Sequence, residues 1–320
     1  MKFLAFLVAM AVSALTQAQI LPQAPTVAAK SWLLLDYSTG QALASYNPDD
    51  RVEPASLTKL MTAYVVLAAL KEGRIKPDQV VPVSERAWKT QGSRMFIEPK
   101  RPVTVDELLR GMIVQSGNDA CIALAEAVAG SEEAFAQSMN REAQRLGLKA
   151  TRFANSTGLP DPQHYSTARD LGALAAALIR DYPEHYPLYS LREYTYNRIS
   201  QANRNRLLWS DPAVDGVKTG HTESAGYCLI ASAKRGPRRL LSVVMGAASD
   251  GMRMQESQKL LNFGFQFFDA VKLYAADQEV SRLRVWKGAQ NTVKAGFLED
   301  FTLSLPKGVA EKVKASLTSR

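Results

Sequence analysis

Two β-hairpin patterns stand at opposite ends of a long helical middle, and this spacing constrains the fold more than any other feature of the chain. Ser31 to Asp36 and Gln41 to Tyr46 are short apolar runs joined by Tyr37-Ser38-Thr39-Gly40, the pattern of a first hairpin. Gly226 to Ala233 and Arg239 to Gly246 flank the turn Lys234 to Arg238, the pattern of a second. Between them the apolar residues follow helical period. Leu57, Leu60, Met61, Tyr64, Val65 and Ala68 share one broad face of a helix that begins at Ser56 and stops near Gly73. Thr104 and Glu107 form a capping-box signature ahead of Leu108, Leu109 and Met112. Further helices run from Asn118 to Val128, ending at Gly130, from Ser131 to Leu146, ending at Gly147, and from Ser166 to Ile179, stopping before Pro183. A helix from about Asp250 to Phe268 closes the series. The order hairpin, helices, hairpin, helix predicts an α/β (α+β) domain over 26–268, with an antiparallel sheet assembled from both chain ends around a helical insertion.

Two segments fall outside that domain. Lys2, the apolar run Phe3 to Leu15 and the small residues Thr16 and Ala18 have the anatomy of a signal peptide over 1–18, too short for a comfortable membrane span of about 20 residues. The mature chain is therefore expected to be exported. Beyond Asp269, the short β-like pieces Glu279 to Val285, Asn291 to Ala295 and Phe301 to Leu305 predict a partial C-terminal β-rich domain over 270–320. It carries nine basic and five acidic residues, half of the whole chain's net charge of +8. That balance suits anionic lipid headgroups or an acidic wall polymer, and equally a plain solvated face. Val309, Val313 and Leu317 recur at the spacing of a short amphipathic helix.

A charge of +8 is too mild for a nucleic-acid polycation, and 46% apolar residues suffice for a full core. Cys121 and Cys228 lie in apolar contexts and read as buried small hydrophobes, too few for a disulfide framework. His164, His185 and His221 are scattered without ligand spacing, so no metal or other cofactor is expected.

Chemistry concentrates in three elements: Ser56-Leu57-Thr58-Lys59, Ser116-Gly117-Asn118 and Lys218-Thr219-Gly220. A Ser-x-x-Lys alone arises by chance about once in a chain of this length. The ordered set of three is far more specific. At a helix start Ser56 and Lys59 lie one turn apart on one face, placing a nucleophile beside a base in a field that favours an oxyanion. An ordinary lysine, with a pKa of about 10.4, is almost wholly protonated at pH 7, so burial or a second cation must depress Lys59, and Lys218 is the natural second cation. Ser116 and Asn118 can aim a hydroxyl and an amide into one cleft, or simply cap the next helix. Lys218 to Gly220 should lie on an edge strand, where Gly220 lets a substrate backbone approach.

The stretches Pro54 to Lys59, Gln115 to Cys121 and Val214 to Thr222 give the chain a resemblance to the D-alanyl-D-alanine carboxypeptidases of the low-molecular-mass penicillin-binding protein 5/6 type, from about Ala29 to Leu305. The resemblance implies a β-lactamase/transpeptidase-like domain in the periplasm, acting on peptidoglycan stem pentapeptides and acylated by β-lactam antibiotics. It implies Ser56 as nucleophile and Lys59 as base, with Ser116, Asn118 and Lys218 shuttling protons and positioning substrate. Thr219, Thr222 and Arg253 would receive the substrate's terminal carboxylate, the amides of Ser56 and His221 would form the oxyanion hole, and Arg204 matches a further arginine near the cleft. The family's second domain continues through more strands into an amphipathic membrane-binding helix, whereas this sequence stops at Arg320, so peripheral contact with the inner membrane is open; the resemblance places the Val309 to Leu317 segment within the β domain.

Two alternatives share the fold. A serine β-lactamase needs a deacylating glutamate. Glu193 to Asn197 has its Glu-x-x-x-Asn spacing but lies close to Lys218, and its alternating tyrosines read as a strand; Gly117 also stands where class A β-lactamases usually carry aspartate. The other alternative is a non-catalytic wall-binding protein, since fold does not fix activity.

Overall fold

A computed structural model describes residues 22–286, 288 and 290–313. The expected signal peptide over 1–18 and Leu317 of the C-terminal spacing lie outside the described residues. Along the chain, β1 (Ser31–Asp36) and β2 (Ala42–Tyr46) lead into a 3-10 turn, Ala55–Thr58, and helix α1 (Lys59–Lys71). The two-residue strands β3 (Val80–Val81) and β4 (Val103–Thr104) bracket α2 (Glu85–Lys89), and α3 (Val105–Val114), α4 (Asn118–Ala129), α5 (Glu132–Arg145) and α6 (Ala168–Asp181) complete the helical middle. A small hairpin, β5 (Glu193–Tyr196) with β6 (Ile199–Ala202), and the single turn α7 (Leu207–Ser210) return the chain to β7 (Val214–Thr222), β8 (Gly226–Arg235), β9 (Arg238–Ala247) and α8 (Asp250–Phe267).

The antiparallel sheet runs β2-β1-β9-β8-β7, so the first hairpin docks on the last strands as expected. β1 is buried along its whole length because alternate side chains serve two cores. Leu33 and Leu35 pack with α1 and α6, whereas Trp32 and Leu34 face Leu260, Leu261 and Phe263 of α8. β7 is an edge strand, which leaves one side of Lys218 to Gly220 unpaired by the sheet.

Three local expectations are corrected. The helix at Ser56 opens as a 3-10 turn, with Leu57 N–H donating to Pro54 O at 3.1 Å and Ala55 at φ 47°; α-helix begins only at Lys59. That helix is buried on nearly every side rather than on one broad face, because α3, α4, α5 and α6 surround it. In the second hairpin the strands run further than the sequence suggested, leaving Gly236 and Pro237 between them. Elsewhere caps follow the sequence: Thr104 and Glu107 form a full capping box, and Gly130 and Gly147 take left-handed φ values of 79° and 73° after their helices.

From Phe268 the chain leaves the two-core domain. β10 (Phe268–Tyr274) pairs with β13 (Phe301–Pro306), and β11 (Ser281–Arg284) with β12 (Thr292–Ala295). β10 had no signal of its own, since it continues α8 without a glycine or proline between them. β13 reaches back to the first hairpin, with Ser304 N–H donating to Gln41 Oε1 at 2.6 Å. A short 3-10 turn occupies Ala310–Lys312 where the amphipathic spacing lay.

Candidate active site

Ser56 and Lys59 stand one turn apart at the mouth of α1, and the Lys59 amine lies 3.0 Å from Ser56 Oγ. Lys59 also donates to Asn118 Oδ1 and to the Thr157 carbonyl, each at 2.7 Å. Those two oxygens can only accept here. The Asn118 amide is turned that way because its Nδ2 donates to Gln91 O at 2.7 Å. A neutral amine has two N–H groups and one lone pair; both N–H groups are taken, so the lone pair faces the serine hydroxyl. Burial pulls the Lys59 amine below the ordinary lysine range, and the Arg204 guanidinium adds to the effect. Lys218, also buried, is held well below it by burial first and by Lys59 next. Charge repulsion is mutual, so a proton on either amine disfavours one on the other. The second cation on Lys59 thus includes Arg204, which the sequence reading had reserved for the cleft.

The 3-10 turn is clamped between two glycines. A Cβ on Gly220 would lie 3.1 Å from Pro54 O and 3.3 Å from the Ala55 Cβ, so a side chain there would push β7 and the turn apart by a few tenths of an ångström. Gly220 thus makes room for the turn, and it also lines the cleft over Ser56 on the free edge of the sheet. On the other side Gly158, at φ 82°, would place a Cβ 1.8 Å from Ala55 O.

A cleft of about 530 Å³ opens over Ser56, lined by Gly92, Ser93, Ser116, Thr219, His221 and Tyr227 and by three arginines, Arg204, Arg206 and Arg253. Neither Ser116 nor Asn118 caps α4; Gly117 holds that position without a side-chain bond. Ser116 sits at φ 64° with its buried hydroxyl unpartnered among the described groups, and Lys218 Nζ donates to Thr219 O at 3.1 Å. Arg253 is already engaged: it donates to Gly220 O at 3.0 Å and Cys228 O at 3.4 Å and pairs with Asp250, which also holds Arg206 at 2.9 Å. Arg204 is exposed and makes no hydrogen bond or ion pair among the described residues, which makes it the freest of the three to meet an anion. Thr222 is turned away, accepting from Ala225 N–H at 3.0 Å and lying 3.4 Å from Glu53 Oε2. Glu193 stands exposed on β5 outside the cleft lining.

Behind Ser56, His164 is buried with Nδ1 accepting from Ala154 N–H at 3.3 Å, so Nε2–H donates to Thr58 Oγ1 at 2.8 Å. Burial pushes its pKa down to about 4. As pH falls below about 6.5 the unfolded chain takes up a proton that the folded one refuses until about 4, so stability drops through that window, by about 2 kcal/mol between pH 7 and pH 5. Urea unfolding at the two pH values should show this loss, and His164→Asn should remove most of it. An equal loss in the variant would assign the acid sensitivity elsewhere.

Residues 18–249 match the D-alanyl-D-alanine carboxypeptidase family, and residues 268–320 match the penicillin-binding protein 5 C-terminal domain. The chain belongs to the D-alanyl-D-alanine carboxypeptidase family. Among its members, the carboxypeptidase DacC of Escherichia coli K12 is 48% identical over 92% of this chain and 76% of that protein. The solved penicillin binding protein 5 from Haemophilus influenzae superposes with a TM-score of 0.87 at 46% identity, covering 91% of this chain and 86% of that one. Penicillin-binding protein D2 from Listeria monocytogenes, solved in an ampicillin-bound form, gives 0.70 at 31% identity over 76% of this chain and 99% of that one.

Sequence reasoning missed several groups that build this family member's site. Thr157 acts through its carbonyl, which every residue owns. Asp119 accepts from the amides of Met95, Phe96 and Ile97 at 2.9, 2.8 and 3.2 Å and so anchors the irregular segment beside Ser93 in the cleft wall. The run Asn155-Ser156-Thr157-Gly158 does carry a turn signal, and Asn155 Oδ1 accepts from Thr157 and Gly158 as such a turn requires.

Proposed function

We propose that the chain removes the terminal D-alanine from peptidoglycan stem pentapeptides through an acyl-enzyme on Ser56, and that β-lactams acylate the same oxygen. The observation that carries this reading is the Lys59 amine, 3.0 Å from Ser56 Oγ with its other two positions taken by Asn118 Oδ1 and Thr157 O. Neutral Lys59 takes the hydroxyl proton as Oγ bonds to the carbonyl carbon of the penultimate D-alanine. The carbonyl oxygen becomes an oxyanion, met by the backbone amides of Ser56 and His221. Collapse expels the terminal D-alanine, whose nitrogen regains a proton through Lys59, with Ser116 and Lys218 alongside. Water then attacks the ester, returning the proton to Ser56. The free carboxylate of the leaving residue meets the arginine-rich end of the cleft, with Thr219 beside it and Arg204 foremost.

Export to the periplasm fits this substrate and the apolar N-terminal run, and among the described residues no helix is long and apolar enough to cross a membrane. The basic character of the C-terminal region suits peripheral contact with anionic lipid at the inner membrane. Penicillin treatment followed by peptide mapping should place one adduct, on the peptide containing Ser56, and the untreated protein should release D-alanine from a stem pentapeptide. An adduct elsewhere, or folded protein that does neither, overturns the reading.

A further inference from the structure

A second carboxylate, remote from the cleft, is built into the support of the base. Lys59 rests on the Thr157 carbonyl, and the backbone that presents this carbonyl is pinned through Ser156. Ser156 N–H donates to Glu132 Oε1 at 3.0 Å and Ser156 Oγ–H donates to the same oxygen at 2.6 Å, while the Ser156 carbonyl accepts from Thr62 Oγ1 at 2.6 Å. Glu132 is the first residue of α5 and is 6% exposed, where the helix N-terminus favours its charge. Its other oxygen is held by Arg86 of α2 at 2.6 Å. A buried carboxylate with two donors on one oxygen and a guanidinium on the other has no freedom to move, and it transfers that rigidity to Ser156.

We propose that Glu132 is a positioning residue for Lys59, fixing Ser156 and hence the Thr157 carbonyl so that the third position of the amine faces Ser56 Oγ. It touches neither substrate nor the reacting atoms. The inference rests on Lys59 as the base, and adds a requirement that the three sequence motifs do not contain. Without Glu132, Ser156 loses both restraints on its donors, and the Thr157 carbonyl can turn from the amine. Misplacement on the scale of 1 Å lowers rates by about 100-fold in preorganised sites.

The charged groups acting on Lys59 are Arg204, Asp119, Glu132 and the neighbouring amine Lys218, while the adjacent Cys121 thiol, pushed up to about 12 by burial, stays neutral. Glu132 and the Thr157 carbonyl both favour the ammonium, so losing them lowers the pKa of the base. The acid limb of the acylation profile then moves to lower pH.

The test compares the full chain with Glu132→Ala, Glu132→Gln and Ser156→Ala, measuring the rate of acylation by a fluorescent penicillin across pH and dividing it by the number of sites titrated in each preparation. Glu132→Ala should lose about 10- to 100-fold per titrated site, with the acid limb displaced to lower pH. Glu132→Gln keeps an acceptor for both Ser156 donors and should recover most of the loss. Ser156→Ala, which keeps the amide bond, should fall between and serves if the first variant folds poorly. Rates per site within about twofold of the parent in all three, or fewer titratable sites with an unmoved acid limb, would make Glu132 a folding residue only. A parent not acylated at Ser56 would instead overturn the functional reading itself.

Discussion

Lys59→Arg should lose 100- to 10,000-fold in acylation by penicillin and in turnover of stem peptide, although it keeps a positive charge and a long side chain. The amine at this position has to give up a proton before it can accept one from Ser56, and its burial between Ser56 Oγ, Asn118 Oδ1 and Thr157 O makes that feasible. A guanidinium remains protonated at any pH the fold survives, so it can hold those oxygens without ever acting as a base. The acid limb of the parent's acylation profile should follow the lowered Lys59 pKa and lie below the ordinary lysine range. A variant that keeps more than about a tenth of the parent rate would mean that another group, with Lys218 the first candidate, takes the serine proton.

Gly158→Ala should be nearly as damaging at a position with no reacting group. The added Cβ would sit 1.8 Å from Ala55 O and 2.9 Å from Thr58 Oγ1, and the backbone there holds φ at 82°. Ala55 O belongs to the turn that carries Ser56, and β7 packs against that turn at Gly220, which leaves it little room to retreat. Either the turn shifts and Ser56 loses its 3.0 Å contact with Lys59, or the 155–158 loop lifts and takes Thr157 with it. A cost of about 3 kcal/mol in stability, a loss of about 100-fold in acylation rate, or both, is the expected result. Gly130→Ala is the control: its φ is 79° but its Cβ would meet nothing within 4 Å, so only the backbone penalty of about 1 kcal/mol applies. Equal effects of the two substitutions in unfolding and acylation would show that the clamp on the serine turn does not exist.

Much of this site was legible because its chemistry is local. Ser56 and Lys59 are one turn apart in the sequence and remain so in space, whether the turn is 3-10 or α. The sheet was legible too, since the short apolar runs in Ser31–Asp36 and in the late hairpin, bounded by turn residues, mark strands wherever they dock. Residue type alone does not say which neighbour a side chain engages. Thr222 and Arg253 are of the right kind to receive a carboxylate, yet the Thr222 hydroxyl is turned toward Glu53 and Ala225, and Arg253 is committed to Gly220 O, Cys228 O and Asp250. A hydrogen-bonding side chain reports its capacity in the sequence, not which neighbour claims it.

By itself the sequence determined the pairing of Ser56 with Lys59, the edge strand beside them and the helical insertion, because each depends on periodicity or on residues a few positions apart. Only the tertiary structure decided how the Lys59 amine is aimed. That task falls to the Thr157 carbonyl, the Asn118 amide oriented by Gln91 O, the Gly158 and Gly220 clamp and the Arg86–Glu132–Ser156 support. Backbone carbonyls and absent side chains carry no chemical label, and the groups they meet lie as far apart along the chain as Pro54 and Gly220, so their alignment exists only once both cores have closed on the sheet.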